Sequence, residues 1–390
     1  VQYPVLPQQP PPPLAPALPT KVRKVGAPLA VIIALGTLTA LILVLIVATN
    51  PGGAVVGFVL TTVAMTVVVG AYLWLDRWEP EPPRLLILAF LWGASVAIVI
   101  SVILEVAFEY AINPAATTES ATSFFTVAIG APAIEEAAKG LFLLLMMTGR
   151  RRLELNSMTD ALVFAGLVGA GFAWMEDIFY IASGETVAAS LATAGLRLIM
   201  APFAHPLFTT CIGIAVYLAL QQRHTVVKVA YLVAGYLAAV LLHGLWNASA
   251  LLGPKAYFGV YLLWMVPMFA LAIALAIHSR RREQRVVAAK LPGMVAAGVI
   301  TANEATWLGS LRTRKAAVAA ASQHGGRAAA KGVRHFAVQV VELAFAQDRI
   351  DRGFSDHRVV ELRNDETYRV YAARAYAAPT LHWLTNYRAG

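Results

Sequence analysis

Eight long apolar runs, at approximately 29–48, 55–75, 85–106, 123–147, 159–181, 196–220, 227–252 and 257–277, occupy most of the first 278 residues. Each reaches the roughly 20 residues that an α-helix needs to cross the hydrocarbon core of a bilayer. The chain is 58% hydrophobic and only 14% charged, whereas soluble domains carry about a quarter charged residues. The sequence therefore predicts an all-α fold: a polytopic membrane helix bundle with eight transmembrane helices and a helical cytoplasmic C-terminal tail.

The segments outside the runs set domains and orientation. Residues 1–26 begin with eight prolines and no charge in the first 20 positions, the composition of a disordered, extended arm. Residues 27–278 form the eight-span domain. The first run is too long for a secretory signal core and lacks a small-residue cleavage site, so it reads as an uncleaved helix. Lys21 to Lys24, Arg77 with Arg84, Arg150 to Arg152, Arg223 with Lys228, and Arg280 to Arg282 all fall on one side of the bundle. By the positive-inside rule both termini are cytoplasmic, in the cell membrane. From Ser279 onward 18 Lys/Arg face 9 Asp/Glu, so the basic surplus belongs to the C-terminal region, 279–390. Such a tail suits an anionic leaflet, and no binding motif points to nucleic acid. Helices are expected near Gly293–Leu311 and Lys315–Ala346, the second interrupted at Gly325-Gly326, as a helical hairpin. The last forty residues carry no assignable pattern.

Inside the apolar runs lie groups that lipid penalises: Glu135, Glu136, Lys139, Glu176, Asp177, His205, His243 and Asn247. Ionisable residues at such depth are costly and mark function by default. Counted from the cytoplasmic ends of their helices at 1.5 Å per residue, Glu135, Glu176, His205 and His243 lie at roughly 18–26 Å. Four spans thus place their polar groups in one layer, slightly toward the outer side. Pro202 and Pro206 flank His205 and should loosen its helix. The glycines at 166, 169 and 171 should let the fifth span approach a neighbour closely.

This inventory suits hydrolysis. A carboxylate can act as general base toward water. Two imidazoles and one carboxylate, here His205, His243 and Glu176, could hold zinc with a position open for water. Asn247 or a histidine N–H could donate to a developing oxyanion. Lys139, at i+4 from Glu135 and i+3 from Glu136, offers an ion pair to one of them. The reading takes Glu135 as base and Glu136 as the anchor of Lys139, and the sequence also permits the reverse. The bland reading, a packing residue, is favoured for Asp177. Arg197 reads as an interfacial side chain snorkelling outward, and Cys211 as a small apolar filler.

Glu135-Glu136-Ala-Ala-Lys139, Phe172-x-x-x-Glu176, His205 and His243-x-x-x-Asn247 together resemble the PrsW family of intramembrane proteases and, more distantly, the CAAX-protease and bacteriocin-processing superfamily. The resemblance spans about residues 27–278 and includes Asp76-Arg77-Trp78-Glu79-Pro80-Glu81-Pro82. It implies a membrane-embedded endopeptidase, usually described as metal-dependent, that cuts a membrane-anchored protein such as an anti-sigma factor near the outer face. The wider superfamily implies instead a glutamate-activated water without metal. Glu135, Glu136, Glu176, His205, His243 and Asn247 are then the catalytic set, a single-span membrane protein the substrate, and zinc the cofactor of the metal version. The alternative is a cation- or proton-coupled transporter, for which acids and histidines in the membrane are equally natural. That alternative calls for polar residues at several depths, and spans one to three read as almost wholly apolar.

Overall fold

The computed structural model describes residues 26–78, 80–114, 122–354 and 357–386. The expected N-terminal arm, up to residue 25, lies outside the described residues, as do Glu79 and residues 115–121 between the third and fourth runs. All regular structure among the described residues is helical, in two compact units, Val25–Val286 and the region from Val287 onward.

In chain order the first unit holds α1 (Leu29–Thr49), α2 (Pro51–Leu75), α3 (Pro83–Ile112), α4 (Ala131–Met146), α5 (Met158–Ala182), α6 (Val187–Ala194), α7 (Ala204–Leu220), α8 (Thr225–Leu251) and the start of α9 (Pro254–Ala296). Among the described residues, seven stretches are long and apolar enough to cross a membrane, α6 and α7 counting as one. The expected fourth span is helical in its place, entered through a π turn at Thr126–Gly130. Its three ionisable side chains, Glu135, Glu136 and Lys139, keep it out of the apolar class. The expected sixth span is not one helix: α6 and a π turn at Gly195–Met200 precede a break before α7. Pro202 sits in that break, and Pro206 falls in the first turn of α7, where a missing N–H costs nothing. The stretch between the fifth and sixth runs, 182–195, is correspondingly mostly helical.

The centre of the unit is α5. Buried residues make up 83% of its most apolar stretch, against 11% for α1, although both helices are apolar all round. Such a helix can face protein or lipid, and small residues decide for α5. A Cβ on Gly169 would lie 2.7 Å from Pro206 Cα and 2.8 Å from the His205 carbonyl carbon, so glycine lets α7 approach at the residue carrying His205. Gly171 likewise meets the Phe90 carbonyl of α3. Polar bonds join α2 to α5: Trp174 Nε1 donates to Thr62 Oγ1 at 3.0 Å, and Asn50 Nδ2 to the Ala182 carbonyl at 2.7 Å.

The second unit contains α10 (Ala302–Leu308), α11 (Leu311–Asp351) and α12 (His357–Trp383). The helix expected at 293–311 is shorter, because Gly298 takes a positive φ and Thr301 starts a new helix with a capping box to Glu304. Gly325 and Gly326 kink α11 as expected, with Gly326 at φ 70°. The last forty residues, without a pattern in sequence, contain the whole of α12. It lies along α11, with Trp383 stacked on His324 at 4.1 Å and Gly332 against Tyr376 and Ala377.

Candidate active site

The site is organised by how α4 begins. The π turn gives Ala131 N–H to the Thr126 carbonyl. The next carbonyl, of Val127, would look five residues on to Pro132, which has no N–H to give. Asn247 Nδ2 donates to that carbonyl at 3.1 Å, so an α8 side chain completes the broken ladder. Gly244, one turn earlier, admits the neighbouring Ala128 carbonyl against the backbone of α8. Tyr236 Oη donates to the Ala133 carbonyl at 2.9 Å and Trp92 Nε1 to that of Ala138 at 3.0 Å. At the entry, the Glu109 carboxylate of α3 accepts from Ser123 N (3.2 Å), Ser123 Oγ (2.8 Å) and Thr126 Oγ1. The helix carrying the paired glutamates is thereby held from α3 and α8.

Lys139 is the hub of the cluster. Its Nζ, fully buried, donates to Glu135 Oε2 at 2.9 Å and Glu136 Oε1 at 2.8 Å, and lies 3.0 Å from His205 Nδ1. The ammonium also sits 3.8 Å from the centroid of the Phe172 ring, a favourable cation–π position. Glu136 is fully buried and accepts from two further donors, His243 Nδ1 at 3.1 Å and Thr209 Oγ1 at 3.1 Å. His205 Nε2 faces Glu176 Oε2 at 2.7 Å. Phe208 stacks on His243 at 4.7 Å between centroids. Glu135, Glu136, Lys139, Glu176, His205 and His243 thus form one contiguous network, while Asn247 supports the backbone beside it.

Donor and acceptor logic assigns the two imidazoles. An ammonium has only hydrogens to offer, so His205 Nδ1 presents its lone pair to Lys139 and Nε2–H donates to Glu176. His243 Nδ1–H donates to Glu136, leaving the lone pair of Nε2 turned inward. Each histidine is therefore bonded outward to a carboxylate and offers its other nitrogen to the interior, an arrangement usual for metal-ligating histidines. The inward nitrogens, His205 Nδ1 and His243 Nε2, lie 3.9 Å and 4.0 Å from Glu135 Oε2. Neighbouring ligands of a tetrahedral zinc are roughly 3.3–3.6 Å apart, given bonds of about 2.0–2.2 Å. One ligand atom from each of Glu135, Glu136, His205 and His243 falls within 4.8 Å of the others, so this buried set could hold a metal ion. It differs from the expected His205, His243 and Glu176, because Glu176 bonds the far side of His205.

Two charged residues join the site that the sequence reading left out. Arg197, expected to snorkel outward, instead turns in from the π turn before α7. Its Nη2 bonds Glu176 Oε2 and its Nε bonds Asp177 Oδ1. An arginine near the end of an apolar run looks interfacial until the acids of α5 are seen to need it. Glu105 of α3 interacts electrostatically with Glu135, Glu176 and Lys139, so the third span is not simply apolar. Glu135, Glu136, Glu176 and Asp177 together face the two cations Lys139 and Arg197. Buried charge tends toward neutrality, and a divalent cation or bound protons would offset the surplus.

Residues 81–272, a segment holding the whole cluster, match the family described as PrsW family intramembrane metalloprotease. The Protease PrsW of Oceanobacillus iheyensis is 28% identical over 214 residues, 54% of this chain and 89% of that protein. No solved structure matches the chain at significance.

Proposed function

We propose, for a chain whose membrane unit belongs to the PrsW family of intramembrane proteases, that Glu135 activates water against a peptide bond of a membrane-anchored protein. The protein is a membrane-embedded peptide hydrolase, and the cluster suggests how its labour is divided. The observation carrying this reading is the inequality of the paired carboxylates. Glu136 is fully buried and engaged by Lys139, His243 and Thr209, which suits an anchor. Among the described residues, Glu135 receives one hydrogen-bond donor, Lys139, and keeps capacity for water.

In the forward reaction Glu135 takes a proton from water as the water oxygen bonds to the carbonyl carbon. Negative charge moves onto the carbonyl oxygen, and the Lys139 ammonium supplies the compensating positive field in a dry site. Glu135 then returns the proton to the amide nitrogen as the C–N bond breaks, leaving a carboxylic acid and an amine. The inward Nε2 of His243 accepts a hydrogen bond from the water and orients it, while His205 Nδ1 holds the Lys139 ammonium. Three donors of the set, on Glu136, His205 and His243, could instead hold zinc and leave Glu135 as the base, and a bound zinc would polarise the carbonyl and acidify water. Glu176 holds His205 in its tautomer. Asn247 serves the backbone of α4 rather than an oxyanion.

An outward-leaning layer and cytoplasmic termini are the orientation that the positive-inside rule supports for these loops. A cut near the outer side of the cell membrane, in a single-span protein such as an anti-sigma factor, follows from that placement. Glu135→Gln and His205→Ala should each reduce cleavage of a co-expressed single-span reporter by roughly 100-fold or more, with protein level unchanged. Full activity in both variants would refute the hydrolytic role of the cluster.

A further inference from the structure

We propose that Arg197 is a positioning residue of the site, acting through Glu176 to fix the ring and tautomer of His205. The inference rests on the hydrolase reading for its effect on rate, but its structural core does not. Arg197 engages two acids through different nitrogens, Nη2 to Glu176 Oε2 and Nε to Asp177 Oδ1. Its guanidinium also lies 4.3 Å from the centroid of the Tyr180 ring. Residues 176, 177 and 180 fall within one turn of α5, so the end of that helix is a receptor for a planar, forked cation. Lysine, a point charge, does not match two acids and an aromatic face at once.

The consequence runs inward. Glu176 Oε2, the oxygen that meets Arg197, is also the atom 2.7 Å from His205 Nε2. His205 is pinned on its other side by Lys139 at 3.0 Å and packed by Phe172 and Phe208. With Arg197 in place, Glu176 has a countercharge and a fixed rotamer, and it accepts the His205 Nε2–H. Without Arg197, two acids at adjacent positions of a membrane helix lose their cation. Glu176 is then free to turn away, and the His205 Nε2–H loses the acceptor that holds it. The inward lone pair of Nδ1 would no longer be assured. Arg197 touches neither the inward nitrogens nor Glu135, so it positions rather than reacts.

Three measurements on the full chain in detergent or vesicles decide the matter. Arg197→Ala should lower reporter cleavage by about 10–100-fold, as loss of a group orienting a histidine does, and Arg197→Lys should recover part of it. Adding Arg197→Ala to Glu176→Gln should change the remaining rate by less than about threefold, because the two act in one chain. The double variant also removes opposite charges together, which favours folding where Arg197→Ala alone fails to fold. Independently of activity, the 15N spectrum of histidine-labelled protein, with His205 assigned by its loss in His205→Gln, should show protonated Nε2 in the parent. Arg197→Ala should show a mixed or inverted pattern. An unchanged His205 spectrum in Arg197→Ala, or independent multiplication of the two rate effects, would overturn the proposal. If instead Glu135→Gln cleaves normally, the hydrolase reading fails, while the spectrum still decides the role of Arg197.

Discussion

The first unit buries carboxylates in two places, and it satisfies them in different ways. At the middle of α4, Glu135 and Glu136 meet an ammonium and two imidazoles. At the start of α5, Asp160 accepts from Asn156 N (2.9 Å), Ser157 N (2.7 Å) and Ser157 Oγ (2.6 Å). Ser157 Oγ also bonds Glu283 at 3.1 Å, and Thr159 Oγ1 pairs with Ser279 Oγ at 2.7 Å. The second group is a knot of backbone amides and hydroxyls that ties the cap of α5 to α9. Its donors are local and belong to a capping box, as helix starts require. The first group draws its members from four helices, and it sets its carboxylates against an ammonium and two imidazoles rather than against backbone amides. Buried acidity alone is therefore not diagnostic of a site. What sets the α4 cluster apart is the company of titratable bases.

Lys139→Met is the sharpest way to break that contrast. It leaves Glu135 and Glu136 buried without their cation, and removing one partner of a buried ion pair typically costs about 3–5 kcal/mol. We expect a large fall in thermal stability in detergent, accompanied by complete loss of cleavage. The triple change Lys139→Met with Glu135→Gln and Glu136→Gln should regain most of the stability and none of the activity. A stable, active Lys139→Met protein would show that the ammonium is not the hub.

At the other group the expected effect is smaller and of a different kind. Asp160→Ala removes the acceptor of the capping box, a loss worth about 1–2 kcal/mol. The midpoint of thermal unfolding should fall, while cleavage per folded molecule stays at the parent level. A selective loss of activity at unchanged stability would place Asp160 with the working residues and erase the distinction.

The sequence made the chemistry of the α4 cluster legible because lipid penalises each of its members individually. Glu135, Lys139, Glu176, His205 and His243 are visible as violations of an apolar pattern, and depth arithmetic groups them. Partner assignment was not legible in the same way. Arg197 sits near the end of its run, where a cation ordinarily needs no partner, and only the packing of α5 shows that it turns inward. Asn247 could not be separated from an oxyanion donor, because the π turn that frees the Val127 carbonyl depends on both Pro132 and the contact at Gly244. The pattern of α12 was hidden for another reason. Its buried positions, among them Val370, Ala373 and Ala377, are mostly small, and they acquire an apolar face only against α11.

A further contrast concerns Asp76, between α2 and α3, and it sharpens the comparison through pH. Its side chain is buried, Oδ2 accepts from Glu81 N at 3.0 Å, and Oδ1 has no hydrogen-bond partner among the described residues. Burial, reinforced by the charges of Asp160 and Glu283, pushes the Asp76 carboxyl up to about 8 from 3.8, against the pull of the Glu81 N–H. Between those values the folded protein holds a proton that the unfolded chain has released, so folding stability from this group declines as pH rises from about 4 to 8. Asp76→Asn keeps an acceptor for Glu81 N–H and carries no such proton, so its stability should depend less on pH. The variant should match the parent in unfolding temperature near pH 4 and exceed it near pH 8. Parallel pH curves for the two proteins would mean that Asp76 remains ionised on folding, as a carboxylate with a cation beside it would, and the contrast between the two acid groups would then weaken.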